Sequence, residues 1–128
     1  MRILIAEDNE MIWEIISELL SDYGVICERA ENGKICVDMM HEATEGYYKA
    51  ILMDVQMPVM GGKEASMELR GSDIQWIRNI PIIAMTADAF AEDIKACLDA
   101  GMNAHLAKPV NMQKVLDTLE KYCLGADR

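Results

Sequence analysis

Apolar positions along the chain fall into two alternating kinds of run. The first kind is short and nearly continuous: residues 2–6 (RILIA), 25–30 (VICERA), 49–54 (KAILMD), 80–85 (IPIIAM) and 104–107 (AHLA). Runs of this length read as strands, and the unbroken ones as strands covered on both faces. Pro81 stands near the start of its run, where a missing donor is tolerated. The second kind is longer and spaced. Met11, Ile12, Ile15, Ile16, Leu19, Leu20 and Tyr23 recur at helical spacing; Asp8 or Asn9 can cap that helix and Gly24 ends it. A second helix is predicted from Asn32 or Gly33 to Glu45, with Ile35, Cys36, Val37 and Met40 inward and Gly46 as its stop. A third starts near Gly62 and fades around Arg70. A fourth carries Phe90, Ile94, Cys97 and Leu98 and closes at Gly101. The last is capped by Asn111, with Val115, Leu116, Leu119 and Tyr122 on one face. Residues 71–73 (GSD) break the pattern. Residues 74–79 are ambiguous, with a short helical turn carrying Trp76 and Ile77 against the core as one reading.

Strands and helices thus alternate five times over residues 1–128, without repeat, linker or low-complexity segment. The pattern predicts one α/β domain, a five-stranded parallel sheet covered by helices on both faces. Right-handed crossovers leave few arrangements. The second strand is the most polar and the fifth the shortest, so both suit the edges. That selects the doubly wound, flavodoxin-like (βα)5 order 2-1-3-4-5, in which ligands bind at the carboxyl ends of the strands.

Composition narrows the function. The chain is 52% hydrophobic and 27% charged, which marks a globular domain, and its net charge of −10 disfavours nucleic acid and anionic membrane surfaces. No run approaches the roughly 20 apolar residues of a membrane span. Met1-Arg2 leads straight into a strand, so no signal peptide is expected and the location is expected to be cytoplasmic. Cys27, Cys36, Cys97 and Cys123 have no metal-like spacing and read as reduced thiols. His41, late in the second helix, reads as a solvated residue.

The candidate chemistry lies where the strands stop. Strand one runs into Glu7-Asp8, strand three into Asp54, strand four into Thr86 and strand five into Lys108. An acid after a strand is by itself commonly a turn or cap. All five at the same topological position belong to one rim. Two carboxylates about 4 Å apart repel by roughly 4 kcal/mol at an effective dielectric near 20. Three on one rim would therefore destabilise the fold unless protonated or bound to a cation; hard carboxylate oxygens select Mg2+ or Ca2+, and Mg2+ suits a phosphate site. A metal-bound carboxylate can attack phosphorus while a lysine and a hydroxyl hold the transferring oxygens. No GxxxxGK[ST] or GxGxxG motif is present, so a nucleotide cradle is not expected.

With these residues in view, the sequence resembles the receiver domain of two-component response regulators over essentially its whole length. The anchors are Glu7-Asp8, Asp54 in LMDVQMP, Gly62 in MPVMGG, Thr86-Ala87 and Lys108-Pro109. The phrases MDVQMPVMGG, MTADAF and GMNAHLAKPV are most similar to receivers of hybrid sensor histidine kinases, from which the chain would be a piece. The resemblance implies that Asp54 accepts a phosphoryl group from a phosphohistidine on a kinase or phosphotransfer domain. It implies that Glu7, Asp8, Asp54 and the Gln56 carbonyl hold Mg2+ (or Mn2+). Lys108 would pair with Asp54 and then with the phosphoryl group, Thr86 would signal its arrival, and Gln56 and Asp88 would tune hydrolysis. A cis Lys108-Pro109 bond is also implied. The output face would be formed by residues 88–100, His105 and residues 111–122, and a phosphorylation-dependent dimer fits that use.

Two positions depart from the family pattern. His105 stands where Tyr or Phe commonly acts as a switch coupled to Thr86, and Gly61 stands where Asp is frequent. The first predicts weakened switch coupling and the second a looser loop. Three rival functions are weighed. A haloacid-dehalogenase-type phosphatase lacks its second acid in Asp54-Val55-Gln56. A flavin-binding flavodoxin would need a glycine- and hydroxyl-rich loop where Glu7 and Asp8 stand. A pseudo-receiver would not need the full set of acids, Thr86 and Lys108.

Overall fold

The computed structural model describes residues 1–87 and 90–124. The strands are β1 (Arg2–Ala6), β2 (Ile26–Ala30), β3 (Ile51–Asp54), β4 (Ile82–Thr86) and β5 (Ala104–Ala107). They form one parallel sheet in the order β2-β1-β3-β4-β5, as the pattern predicts. The helices are α1 (Glu10–Ser21), α2 (Gly33–Glu42), α3 (Gly62–Arg70), α4 (Gln75–Arg78), α5 (Ala91–Asp99) and α6 (Met112–Leu119), which runs into a π-turn over Glu120–Leu124.

Alternation along the strands divides the core into two layers. Leu4, Ala6, Ile51, Met53, Ile82 and Ala84 point to one face, where Cys36, Val37, Met40, Ala65, Leu69 and Ile77 cover them. Ile3, Ile5, Leu52, Ile83, Met85 and Leu106 point to the other, under Ile16, Leu20, Val115 and Leu119. Buried Ile77 brings α4 onto the first layer, which resolves the ambiguous segment as a helical turn. Asparagines cap three helices: Asn9, Asn32 and Asn111 each accept an N–H bond from the first turn.

Two expectations shift. Helix α2 ends at Glu42 because Ala43 turns extended, and the chain reverses through Thr44 and Gly46 to bury Tyr48. Ile35 is exposed, since α2 buries only the Cys36, Val37 and Met40 side of its turn. Phe90 and Leu98 are likewise exposed, and Cys97 alone of α5 is fully packed. At the end of the sheet away from the rim, Arg70 joins three segments by donating to the carbonyls of Gly101 and Arg78 and to Asn103 Oδ1. Gly101, at φ 102°, lets the chain pass beside it, for a Cβ there would lie 2.6 Å from Arg70 Cγ.

Candidate phosphoacceptor site

Register delivers the site residues. Ala6 pairs with Met53, so Glu7 emerges level with Asp54; Asp54 pairs with Met85, and Thr86 with Ala107, one residue before Lys108. Asp54 is held close to α3 by Gly62, whose missing side chain matters: a Cβ there would clash with the Asp54 carbonyl oxygen. Gly62 N–H also donates to the Val55 carbonyl, and Gly33 N–H, at the start of α2, donates to that of Met60. The loop after Asp54 is therefore tied to two helices.

Three carboxylates meet on this rim, with one oxygen from each of Glu7, Asp8 and Asp54 lying within 4.8 Å of the others. Glu7 is fully buried and both its oxygens are engaged, one by Lys108 Nζ at 2.9 Å and one by Asn9 N–H at 3.2 Å. Asp54 is nearly buried, with Lys108 Nζ 3.1 Å from Oδ2 and Gln56 N–H 3.4 Å from Oδ1. The Asp8 side chain is exposed and makes no hydrogen bond or ion pair with the described residues. Burial alone would push the Lys108 ammonium down, but the Glu7 hydrogen bond and the Asp54 charge and hydrogen bond outweigh it and hold it above the ordinary lysine range. The three carboxylates against the one ammonium that touches them leave an excess of two negative charges, the charge of a divalent cation.

Asp54, Val55, Gln56, Thr86, Ala87 and Lys108 line a cleft of about 190 Å3. Thr86 is buried in its wall. His105, exposed on β5 opposite Ala84, does not line the cleft. Asp88 lies outside the described residues. The Lys108-Pro109 bond is cis. His41 is also outside the cleft; its ring bonds the Val37 carbonyl and Ser72 Oγ. Burial pushes the Cys27 thiol up to about 11 and that of Cys36 up to about 12, so neither is a nucleophile near neutral pH.

Two features escaped the sequence. Arg29 reaches from β2 to the Glu7 and Asp8 carbonyls, a contact no local spacing announces. The second is the helical stripe of α1. It is wider than the sheet can cover, so Ile16 and Leu20 are buried while Met11, Ile15, Leu19 and Tyr23 stay exposed. Ile12, Ile15, Ile16 and Leu19 form one wall of an apolar groove of about 330 Å3 whose other wall is Lys108, Pro109, Val110 and Met112. The width of that stripe was the available signal.

Comparison with known proteins agrees with the geometry. The family model for the response regulator receiver domain matches residues 3–120. The hybrid signal transduction histidine kinase I of Dictyostelium discoideum is 35% identical over 120 residues, which is 92% of this chain and 7% of that kinase. A histidine kinase of rice is 32% identical over 98% of this chain, which spans 13% of its length. The receiver domain of a sensor histidine kinase from Pseudomonas aeruginosa, solved with a magnesium ion in its active-site cleft, superposes with a TM-score of 0.82 at 35% identity, covering 95% of this chain and 96% of that one. The receiver domain of the Saccharomyces cerevisiae response regulator Ssk1, solved in complex with the phosphotransfer protein Ypd1, gives 0.85 at 27% identity, covering 97% and 89%. Among the described residues no helix is long and apolar enough to cross a membrane. Since that family model matches residues 3–120 and relatives that contain such a domain are 30% or more identical over nearly the whole chain, this protein belongs to the response regulator receiver domain family.

Proposed function

We propose that Asp54 accepts a phosphoryl group from a phosphohistidine on a histidine kinase or histidine phosphotransfer domain, within two-component or phosphorelay signalling. The observation that carries this reading is the Lys108 ammonium bridging Glu7 and Asp54 beside an Asp8 carboxylate that no described residue engages. An Asp54 oxygen forms the bond to phosphorus as the phosphorus–nitrogen bond of the donor breaks, the electron pair leaving on the imidazole nitrogen. Lys108 steadies Asp54 before transfer and the new phosphoryl oxygens after it. Thr86, in the cleft wall, is the hydroxyl that meets those oxygens.

The donor set fits Mg2+, with Mn2+ as a substitute: all oxygen, with two negative charges in excess and Asp8 open to solvent. Asp8 and Asp54 would hold the ion with the Gln56 carbonyl, and Glu7 would act from behind because both its oxygens are engaged. Bound there, the cation offsets charge on the transferring group. Gln56, at the cleft, and Asp88 are the positions we assign to tuning hydrolysis. Exposed His105 offers Thr86 a weaker switch than an aromatic ring would, and the α5, β5 and α6 face is our candidate for output.

The groove between α1 and the 108–112 segment is where the donor domain docks. It adjoins Lys108, and apart from that lysine its lining is apolar, which favours an apolar partner surface. The central test uses acetyl phosphate as a small donor, with intact mass as the readout. The expected result is a gain of one phosphoryl group that requires Mg2+ and is lost in Asp54→Asn. No uptake with any divalent cation would overturn the reading.

A further inference from the structure

One residue that reaches the acidic rim lies on a neighbouring strand. Arg29, next to last in β2, sends its guanidinium to the carboxyl end of β1. Its Nε–H donates to the Glu7 carbonyl at 3.1 Å and its Nη2 to the Asp8 carbonyl at 2.9 Å. Among the described residues the carboxylate that pairs with it is Glu31, 3.9 Å away and largely exposed. A planar fork that grips these two successive carbonyls fixes the two peptide planes that flank the Asp8 Cα, and with them the direction in which the Asp8 side chain leaves the backbone.

The two acids do not depend on this grip equally. Glu7 is held independently by its N–H to the Ala30 carbonyl, by Lys108 and by Asn9. Among the described residues nothing restrains the Asp8 carboxylate in this way, so its aim follows from its backbone, and Arg29 secures the carbonyl of that backbone. Building on the reading of Glu7, Asp8 and Asp54 as a divalent-cation site, we propose that Arg29 is a positioning residue for that cation: it presets the Asp8 carboxylate toward Asp54. Groups that hold metal ligands in place commonly change metal affinity 10–100-fold when removed.

Charge and positioning predict opposite signs, which makes the proposal testable. Removing a guanidinium near a cation site should tighten Mg2+ binding if charge alone matters. Removing an orienting group should weaken it. The experiment titrates Mg2+ by calorimetry into metal-free wild type, Arg29→Gln and Arg29→Lys, with melting temperature in EDTA confirming that each is folded. Positioning predicts a Kd for Mg2+ about ten-fold higher in Arg29→Gln. Arg29→Lys, which keeps the charge but not the fork, should also be weakened, and it carries the test alone should the Gln variant fail to fold. An unchanged or tighter Kd in the folded variants would overturn the proposal while leaving the phosphoacceptor reading intact. A wild type that takes up no Mg2+ would overturn both.

Discussion

Val59 sits at φ 68°, a backbone region that β-branched residues rarely occupy, and its side chain is 82% exposed, so no packing compensates. The Met60 N–H donates to the Pro58 carbonyl at 2.7 Å, closing a three-residue turn around it. Met60 and Gly62 are anchored to α2 and to Val55, and the turn between those anchors takes the strain. Such strain costs about 1–3 kcal/mol, against roughly 0.5–1 kcal/mol for the added freedom of a glycine in the unfolded chain. Val59→Gly should therefore stabilise the protein by about 1 kcal/mol, read as a melting temperature a few degrees higher, whereas Val59→Ile should not. A lower midpoint for the glycine variant would show that Val59 is unstrained. This feature was not legible beforehand. Pro58 and Gly62 announced a shaped loop, but Gly61 is the obvious host for an unusual φ, and it lies instead at −77° as the cap of α3. Where the family often has Asp, Gly61 gives α3 no side-chain cap bond. By contrast Asp54, Glu7, Asp8, Thr86 and Lys108 were legible, because each directly follows an apolar run and strand ends are visible in a single sequence.

At the scale of elements, the strand order could be inferred from polarity and length, since edge strands need less cover. The bounds of helices and the use of their faces were less visible, because periodicity marks an apolar face without saying what covers it. Helix α1 is the clearest case. Its stripe contains two i, i+4 lines; the sheet takes Ile12, Ile16 and Leu20, and Met11, Ile15 and Leu19 remain outside. Ile15 is 52% exposed and lines the groove, so the docking proposed there assigns it to recognition more than to stability. Ile15→Glu should change stability by no more than about 0.5 kcal/mol, as is usual at the surface. Phosphorylation by acetyl phosphate, which needs no docking, should stay at the wild-type rate. Transfer from a phosphorylated histidine phosphotransfer domain should fall by ten-fold or more, since an added charge within an apolar contact is costly to desolvate. Equal loss with both donors would place the defect in the chemistry rather than in docking.

The whole molecule is needed to assemble the ion network, because its members come from residues 7, 54 and 108, far apart in the chain and joined by three strands. Lys108 reaches across from the end of β5 to a fully buried Glu7 and a nearly buried Asp54. Replacing it with Met would leave two buried carboxylates facing each other without their cation. Breaking a buried pair by removing one partner costs about 3–5 kcal/mol, and the partial exposure of Lys108 favours the lower end. In EDTA near neutral pH, Lys108→Met should thus melt well below wild type, and Mg2+ should recover part of the loss by supplying charge to the same oxygens. The pH dependence has a definite sign. Lys108 is held above its ordinary value of 10.5 in the folded state, so its stabilisation is present in full below that value and is lost as pH rises through the higher folded one. The gap between wild type and Lys108→Met should therefore be constant from neutral pH to about 10 and narrow above it. Thermal melts of both proteins in EDTA across that range would check this. A gap that persists unchanged once lysine is deprotonated would show that Lys108 supports the fold through its aliphatic stem, and the ammonium would then be free to serve the phosphoryl group alone.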